Sequence, residues 1–193
     1  FYFMLGLNGF LFFDLEYNPK TAKVREYGFI LGDYCVRAVN SAKLESAVEK
    51  AKFIVGHNIL RHDVPILRDY FSIDFPNVKV LDTLMLSSLL FPRKPYHKLR
   101  KEYLHSEDEK SDPLKDAELC KTLLEDCIVK WNALPWQLRY LLFQFLKTYE
   151  EFFKKTAEKV FAVFLVFFKS VMLNEIHKTT DNRSQKAKDR KGE

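Results

Sequence analysis

The sequence contains little cysteine, and its cysteines form no pattern typical of a disulfide scaffold or a zinc site. Its 193 residues include three cysteines, an odd number, and none of them forms a CxxC pair. Small secreted domains usually carry several paired cysteines, whereas unpaired thiols are typical of reducing compartments. A zinc site would need a set of cysteine and histidine ligands, which the sequence does not offer. These absences favour an intracellular protein, cytoplasmic if it is bacterial, with thiols buried in its strands and helices.

Long hydrophobic runs are also absent. The most apolar stretch near the end, residues 160–168, lies between Lys159 and Lys169. It is too short for a membrane span, which needs about 20 apolar residues. The chain begins without methionine and without a basic leader, so we expect a piece of a longer polypeptide and no signal peptide. The sequence therefore predicts no membrane partner, although other domains of a larger polypeptide are possible partners.

The net charge of +5 does not by itself indicate nucleic-acid binding. Six basic and three acidic residues after position 177 supply +3 of that charge, so the rest of the chain is nearly neutral. A charged end of this kind is more often solvated and disordered than a binding arm. Residues 178–193 are therefore predicted to form a basic, disordered tail.

Hydrophobic runs and turn residues predict an α/β fold with a mixed sheet, in which three antiparallel strands are followed by parallel strands and helices flank the sheet. The predicted strands are residues 10–15, 24–31, 34–39, 53–56 and 78–81. The predicted helices are residues 42–52, 62–71, 82–90, 96–104 and 113–132. Ser41 is expected to cap the first of them, and Leu67 and Tyr70 are expected on the inner face of the second. These elements form one domain over residues 1–134. A helical extension follows over residues 135–177, with amphipathic helices at 136–149 and 151–176.

An acidic pair lies on the first predicted strand. Asp14 and Glu16 are two residues apart, so both side chains project from the same face of the strand. Neighbouring carboxylates repel each other, and a fold tolerates them mainly where a cation neutralises their charge. The alternative is a strand that runs out into solvent, where both acids are hydrated. The pair alone does not exclude that alternative.

Three further acids, Asp63, Asp82 and Asp116, lie at or near the start of predicted helices. Asp63 and Asp82 can be explained as helix caps, and capping is the favoured explanation for Asp82. Asp116 can be explained as an exposed acid balanced by Lys115 or Lys121. Ligands of open α/β sheets, however, gather at strand ends, and an acid on the inner face of a helix needs a partner.

Three motifs follow one another along the chain: Asp-x-Glu at residues 14–16, Gly-His-Asn-Ile-x-x-x-Asp-x-Pro-x-Leu at 56–67, and Asp-Pro-Leu-x-Asp-Ala at 112–117. In this order they resemble the DEDD (RNase H-like) family of 3′–5′ exonucleases. The middle motif is similar to that of proofreading domains of family B DNA polymerases. The last motif is similar to that of proofreading subunits and of exonuclease modules fused to helicases. The resemblance covers roughly residues 10–131.

The resemblance implies an RNase H-like fold and phosphodiester hydrolysis by a two-metal mechanism. It makes Asp14, Glu16, Asp63 and Asp116 the ligands of two Mg²⁺ or Mn²⁺ ions about 4 Å apart. One ion would generate the attacking hydroxide and the other would stabilise the leaving 3′ oxygen. The substrate would be the 3′ end of a single-stranded or frayed nucleic acid, with DNA favoured over RNA.

Four residues are expected to contact the nucleic acid. The resemblance implies that Leu15 borders the terminal nucleotide, together with Glu16, and that Asn58 holds the nucleic acid or orders its loop. Tyr17 and Lys98 are added because single-strand sites combine aromatic platforms with basic grooves. Residues 92–101 mix both kinds of side chain, and further candidates there are Arg93, Lys94 and Tyr96. A solvated linker explains the same stretch equally well.

The last motif departs from the family pattern. The family places a histidine five residues before its last aspartate or a tyrosine four residues before it, whereas this chain has Ser111 and Asp112 there. Serine is no general base at neutral pH, and loss of that base costs about 10²–10⁴-fold in rate. His105 is a candidate replacement, although exposure is its commoner explanation. His57 is expected to make structural hydrogen bonds. His62 directly precedes Asp63, and because adjacent residues of a helix diverge, it is expected to pack or to contact the backbone. The sequence thus predicts an intact metal site with attenuated activity.

Two other functions are compatible with this departure. One is a non-catalytic nucleic-acid-binding or regulatory module of a larger DNA-processing protein. The other, a purely structural domain of a larger polypeptide, is suggested by the abrupt start of the chain and by the predicted helices from Trp136, which do not complete a second domain.

Overall fold

The computed structural model describes residues 7, 9–73, 79–94, 96–99 and 112–153, with side chains described as far as residue 144. The contacts divide the chain into two units, Phe1–Leu134 and Pro135–Glu193. Within the described residues, the first unit contains a five-stranded sheet and four helices, and the second contains one helix. None of the described helices is long and apolar enough to cross a membrane.

Five strands form one mixed sheet in the order β3-β2-β1-β4-β5. Strand β1 pairs with β2 in antiparallel fashion and with β4 in parallel, β2 pairs with β3 antiparallel, and β4 pairs with β5 parallel. The bounds are β1 (Phe10–Asn18), β2 (Lys23–Leu31), β3 (Tyr34–Ala38), β4 (Phe53–Gly56) and β5 (Lys79–Asp82). The predicted α/β fold with a mixed sheet is confirmed.

The helices are α1 (Ala42–Lys50), α2 (Asp63–Phe71), α3 (Thr83–Leu90), α4 (Pro113–Ala133) and α5 (Trp136–Phe153). Leu11, Phe13 and Leu15 of β1 share a buried cluster with Leu44 of α1 and Leu67 of α2. Helix α4 contacts β1, β2 and α3. Because side chains alternate along a strand, Asp14 and Glu16 project from the face of β1 opposite Leu15, toward α4. The sheet therefore positions the acidic pair against α4.

Two element boundaries near the acids differ from the prediction. Strand β1 continues to Asn18, because β2 pairs with it as far as Lys23, so the acidic pair lies within the strand. Helix α2 begins at Asp63, one residue later than predicted. Leu67 is fully buried as expected, but Tyr70 is 46% exposed, so its placement on the inner face was wrong. Its ring contacts that of Phe71 edge-on at 5.0 Å, at the end of the helix.

Two predicted helices also differ. Residues 96–99 are not helical, since a hydrogen bond of 2.9 Å between Ser87 Oγ and His97 Nδ1 holds this stretch against α3; residues 100–104 lie outside the described part. Helix α5 is continuous to Phe153, because no glycine or proline interrupts it near residue 150. The rest of the predicted helix 151–176 and the tail 178–193 also lie outside the described residues.

Two side-chain predictions need correction as well. Ser41 is the N-cap residue of α1, but its side chain makes no capping hydrogen bond. Its backbone is already helical (φ −72°, ψ −26°), whereas a capping serine normally has an extended backbone. Of the three thiols, Cys120 and Cys127 are buried but Cys35 is exposed on the edge strand β3, so the prediction of three buried thiols was wrong.

Candidate metal centre

The structure brings three of the four predicted carboxylates together. Asp14 and Glu16 of β1 and Asp116 of α4 each offer an oxygen, and these oxygens all lie within 4.8 Å of one another. Asp116 is only 2% exposed, and the two strand residues are partly buried. The proposed alternatives of a strand end in solvent and an exposed helical acid therefore do not describe these residues. We call these three side chains the carboxylate cluster.

Residues at the start of α4 fix the first turn of the helix, and this turn carries Asp116 to the cluster. Pro113 stands in the first turn, where its missing N–H costs nothing. The Asp112 side chain caps the helix and accepts hydrogen bonds from the amides of Leu114 (3.1 Å) and Lys115 (3.4 Å). The amide of Asp116 donates to the carbonyl of Asp112 at 3.0 Å. Asp116 thus has a fixed place one turn inside the helix.

Gly28 allows α4 to approach the sheet closely. It pairs with Asp14 across the β1–β2 ladder. A Cβ atom added to Gly28 would lie 2.4 Å from the amide nitrogen of Leu114 and 2.6 Å from the carbonyl carbon of Pro113. The first turn of α4 therefore rests on the backbone of β2 beside Asp14. The sequence contained a signal for this role, since glycine inside a strand often marks a close backbone approach.

Asp63 lies near β1 but outside the carboxylate cluster. Its side chain is 1% exposed, and its Oδ1 atom makes no hydrogen bond within the described part of the chain. Burial raises the pKa of Asp63 to about 6, while His62 and the main chain of Leu15 oppose that rise. The N-cap residue of α2 is His62, so Asp63 does not occupy the capping position. Asp63 is therefore a buried carboxylate beside the strand that carries Asp14 and Glu16.

The raised pKa makes the stability of the metal-free protein depend on pH through Asp63. A carboxyl group with a pKa near 6 when folded and 3.8 when unfolded stabilises the fold below pH 4. That contribution is lost as the pH rises through 6, and the loss amounts to about 3 kcal/mol at most. We therefore expect the unfolding free energy of Asp63→Asn, relative to that of the wild type, to be higher at pH 7 than at pH 4. Urea unfolding with EDTA measures both values. Equal differences at both pH values would contradict this expectation.

Asp69→Asn is the matched control for that experiment. Asp69 is an exposed acid on the same helix, so its replacement should leave the difference from the wild type small at both pH values.

Asp82 has the capping role that the sequence favoured, and it also fixes the loop before α2. Its Oδ1 accepts hydrogen bonds from the amides of Leu84 and Asn58, each at 2.9 Å. Its Oδ2 lies 3.4 Å from the amide of Leu60. Asn58 has a left-handed backbone (φ +62°), which asparagine tolerates better than most residues. Of the two roles expected for Asn58, the ordering of its loop is visible in these contacts.

The histidines near the site make different contacts. His57 Nδ1 lies 3.0 Å from Thr83 Oγ1, as expected of a structural histidine, and burial lowers its pKa. His62 Nδ1 lies 3.6 Å from Asp63 Oδ2, so the expectation that these neighbours diverge was wrong. The reason is that His62 precedes the first helical residue (φ −108°, ψ −67°). The carboxylate of Asp63 raises the pKa of His62. Ser111 and His105 lie outside the described residues.

The residues expected to contact nucleic acid differ in how far they are exposed to solvent. Leu15 is 3% exposed and belongs to the hydrophobic core, so its side chain points away from the carboxylate cluster. Tyr17 is partly buried and packs against the same core. Lys98 is exposed and lines a groove of about 820 Å³. The groove is formed by Lys94, Tyr96, Lys98 and Leu99 together with Leu119, Thr122, Leu123 and Asp126 of α4.

No family model, curated protein or solved structure matches this chain.

The donor atoms of the carboxylate cluster are all carboxylate oxygens. Oxygen ligands of this kind suit hard divalent cations such as Mg²⁺ and Mn²⁺. Three like charges at this distance also favour a cation between them. Asp14, Glu16 and Asp116 could therefore hold a divalent metal ion.

Proposed function

We propose that this protein is a metal-dependent 3′–5′ exonuclease with an RNase H-like fold. The observation that carries the proposal is the convergence of Asp14, Glu16 and Asp116, whose oxygens lie within 4.8 Å of one another. The sheet supports it, since three antiparallel strands are followed by parallel ones. The order of the three sequence motifs, which resembles the DEDD exonucleases, supplies the reaction class.

In this proposal the carboxylate cluster holds one of two divalent cations, and Asp63 serves the second together with Asp14. The cluster supplies three acidic oxygen donors, of which Asp116 is buried. Asp63 contributes a buried oxygen atom without a hydrogen-bond partner in the described part of the chain. A polar atom in this state is costly unless a ligand or ion reaches it. Mg²⁺ or Mn²⁺ bound by these residues would lower the pKa of water and offset the charge of the scissile phosphate.

The residues of the last motif explain why we expect slow turnover. Asp112 stands where some family members have a tyrosine, but it caps α4 and lies 3.6 Å from Arg37. Both oxygens of its carboxylate therefore already have partners within the protein. Without a general base, the rate should fall by about 10²–10⁴-fold relative to a complete site.

The groove beside α4 supports a single-stranded substrate. It includes Leu119, one helical turn beyond Asp116, and is lined by Lys94 and Lys98. Tyr96 also lines the groove and is 79% exposed. Lysines that follow a backbone and an aromatic side chain for stacking are the usual elements of a single-strand site. We propose that the strand behind the terminal nucleotide lies here, with DNA as the favoured substrate.

A direct cleavage assay tests the proposed function. The purified protein is incubated with a 5′-labelled single-stranded DNA oligonucleotide and Mg²⁺ or Mn²⁺, and the products are resolved by length. We expect a ladder that shortens from the 3′ end, disappears with EDTA and is absent when the 3′ end is blocked. Degradation no faster than that by an Asp14→Ala/Glu16→Ala variant would refute the proposal.

The engagement of Asp112 also favours a second candidate function. With a helix-capping aspartate where some family members have a tyrosine, the same fold could bind nucleic-acid ends without cleaving them, as a regulatory module of a larger DNA-processing protein. Tight binding of the oligonucleotide that is independent of metal and gives no turnover would favour this function. Strongly increased cleavage by Ser111→His would instead favour the enzyme.

A further inference from the structure

Arg37 of β3 forms an ion-pair network with residues of two other elements. Its guanidinium group binds Glu26 of β2 through two hydrogen bonds, Nε to Oε2 at 2.6 Å and Nη2 to Oε1 at 2.8 Å. The remaining nitrogen, Nη1, lies 3.6 Å from Oδ2 of Asp112, the N-cap residue of α4. Arg37 therefore joins the edge of the sheet to the start of the helix that carries Asp116.

The sheet register places this network in one row with the carboxylate cluster. Asp14 pairs with Gly28, and Gly28 pairs with Arg37, so the three residues lie side by side across β1, β2 and β3. The first turn of α4 lies over the middle of the row, since Leu114 is in close contact with Gly28. On one side of that contact α4 meets the cluster through Asp116, and on the other side it meets Arg37.

The charges on the two sides of this contact act in opposite directions. Asp116 faces Asp14 and Glu16, and the mutual repulsion of three carboxylates pushes the helix away from β1. The attraction between Arg37 and Asp112 holds the same turn of α4 against the sheet. Glu26 also stands opposite Glu16 across the β1–β2 ladder, so its pairing with Arg37 offsets a fourth negative charge beside the cluster.

We propose that Arg37 is a positioning residue for the metal centre. Through Asp112 it keeps the first turn of α4 on β2, which keeps the carboxylate of Asp116 within reach of Asp14 and Glu16. This inference rests on the proposed function, since it assumes that the carboxylate cluster binds a divalent cation.

The test measures Mn²⁺ binding to the full chain, by the electron paramagnetic resonance signal of free Mn²⁺ and by the thermal shift that Mn²⁺ produces. Because the side chain of Arg37 is 48% exposed and its ion pair with Asp112 is correspondingly weak, we expect Arg37→Gln to raise the dissociation constant for Mn²⁺ about threefold. Arg37→Lys should restore part of the affinity, because a single ammonium group cannot serve both carboxylates. Arg25→Gln, an exposed residue of β2, is the matched control and should bind Mn²⁺ as the wild type does.

Asp112→Asn supplies a second route to the same test. Asparagine keeps an oxygen that can cap α4 but loses the charge that attracts Arg37. We expect it to weaken Mn²⁺ binding as much as Arg37→Gln does, and the double variant to bind no more weakly than either single variant. Because Asp112→Asn retains the cap, it carries the test if Arg37→Gln does not fold.

The outcomes separate this inference from the proposed function. If the wild-type protein does not bind Mn²⁺, the proposed function fails. If the wild type binds Mn²⁺ and Asp112→Asn and the folded Arg37 variants bind it equally well, the positioning role of Arg37 is overturned and the proposed function stands.

Discussion

Asp116→Asn should lower the rate of oligonucleotide cleavage by about 10³-fold or more at the lowest Mg²⁺ concentration that saturates the wild type. Asp116 is buried and is the one member of the carboxylate cluster that α4 supplies. Asparagine has nearly the same shape but no charge, so the cluster would hold a cation more weakly. Charge stabilisation by a metal ion supplies several kcal/mol to such a reaction, and about 4 kcal/mol corresponds to 10³-fold in rate. Single-turnover cleavage with excess protein measures this effect on the chemical step.

Glu118→Gln is the matched control for that experiment. Glu118 lies on α4 two residues beyond Asp116 but is exposed, so the same loss of charge occurs away from the cluster. We expect its cleavage rate to stay within about twofold of the wild type, in line with the small effects of surface substitutions. If Asp116→Asn cleaved at a rate within about tenfold of the wild type, the carboxylate cluster would not be the catalytic site.

Gly28→Ala should destabilise the protein by about 3 kcal/mol or more and abolish Mn²⁺ binding at the carboxylate cluster. The added Cβ would lie 2.4 Å from the backbone nitrogen of Leu114, and a backbone atom of a packed helix cannot turn aside as a side chain can. The first turn of α4 would have to move off β2 and take Asp116 with it. Urea unfolding measures the stability, and calorimetric titration measures Mn²⁺ binding under conditions where the variant is folded.

Gly32→Ala is the control for Gly28→Ala, because it adds backbone strain without a steric clash. Gly32 lies in the turn between β2 and β3 with a left-handed backbone (φ +61°), and a Cβ there would meet nothing within 4 Å. Its replacement should cost about 1 kcal/mol through backbone strain alone and leave Mn²⁺ binding intact. Mn²⁺ binding by Gly28→Ala equal to that by Gly32→Ala would contradict the role assigned to Gly28.

The sequence was sufficient to predict the α/β fold and the projection of the acidic pair from one face of β1. Both follow from local rules, namely hydrophobic runs for the strands and the two-residue repeat for the pair. The same repeat places Leu15, between Asp14 and Glu16, on the opposite face, where the structure buries it in the core. The expectation that Leu15 borders the terminal nucleotide came from the resemblance, and it stays a prediction.

The sequence was not sufficient to predict the contacts that assemble the metal centre. The approach of Leu114 to Gly28 depends on how α4 packs on the sheet, and the pairing of Arg37 with Asp112 joins residues that are far apart in the chain. The burial of Asp63 depends likewise on the position of α2 beside β1. Each of these contacts is tertiary, so no local pattern of residues identifies both partners, although a glycine inside a strand can mark a close approach.

The carboxylate cluster joins the first strand of the fold to the last helix of the first unit, and this has a consequence for biosynthesis. Asp14 and Asp116 are separated by roughly a hundred residues, so the loop between them must close before the three oxygens can meet. A growing chain in which α4 has not yet docked on the sheet has no assembled cluster. A cation held by the cluster would therefore report the completion of folding, and it would stabilise the finished fold by mass action.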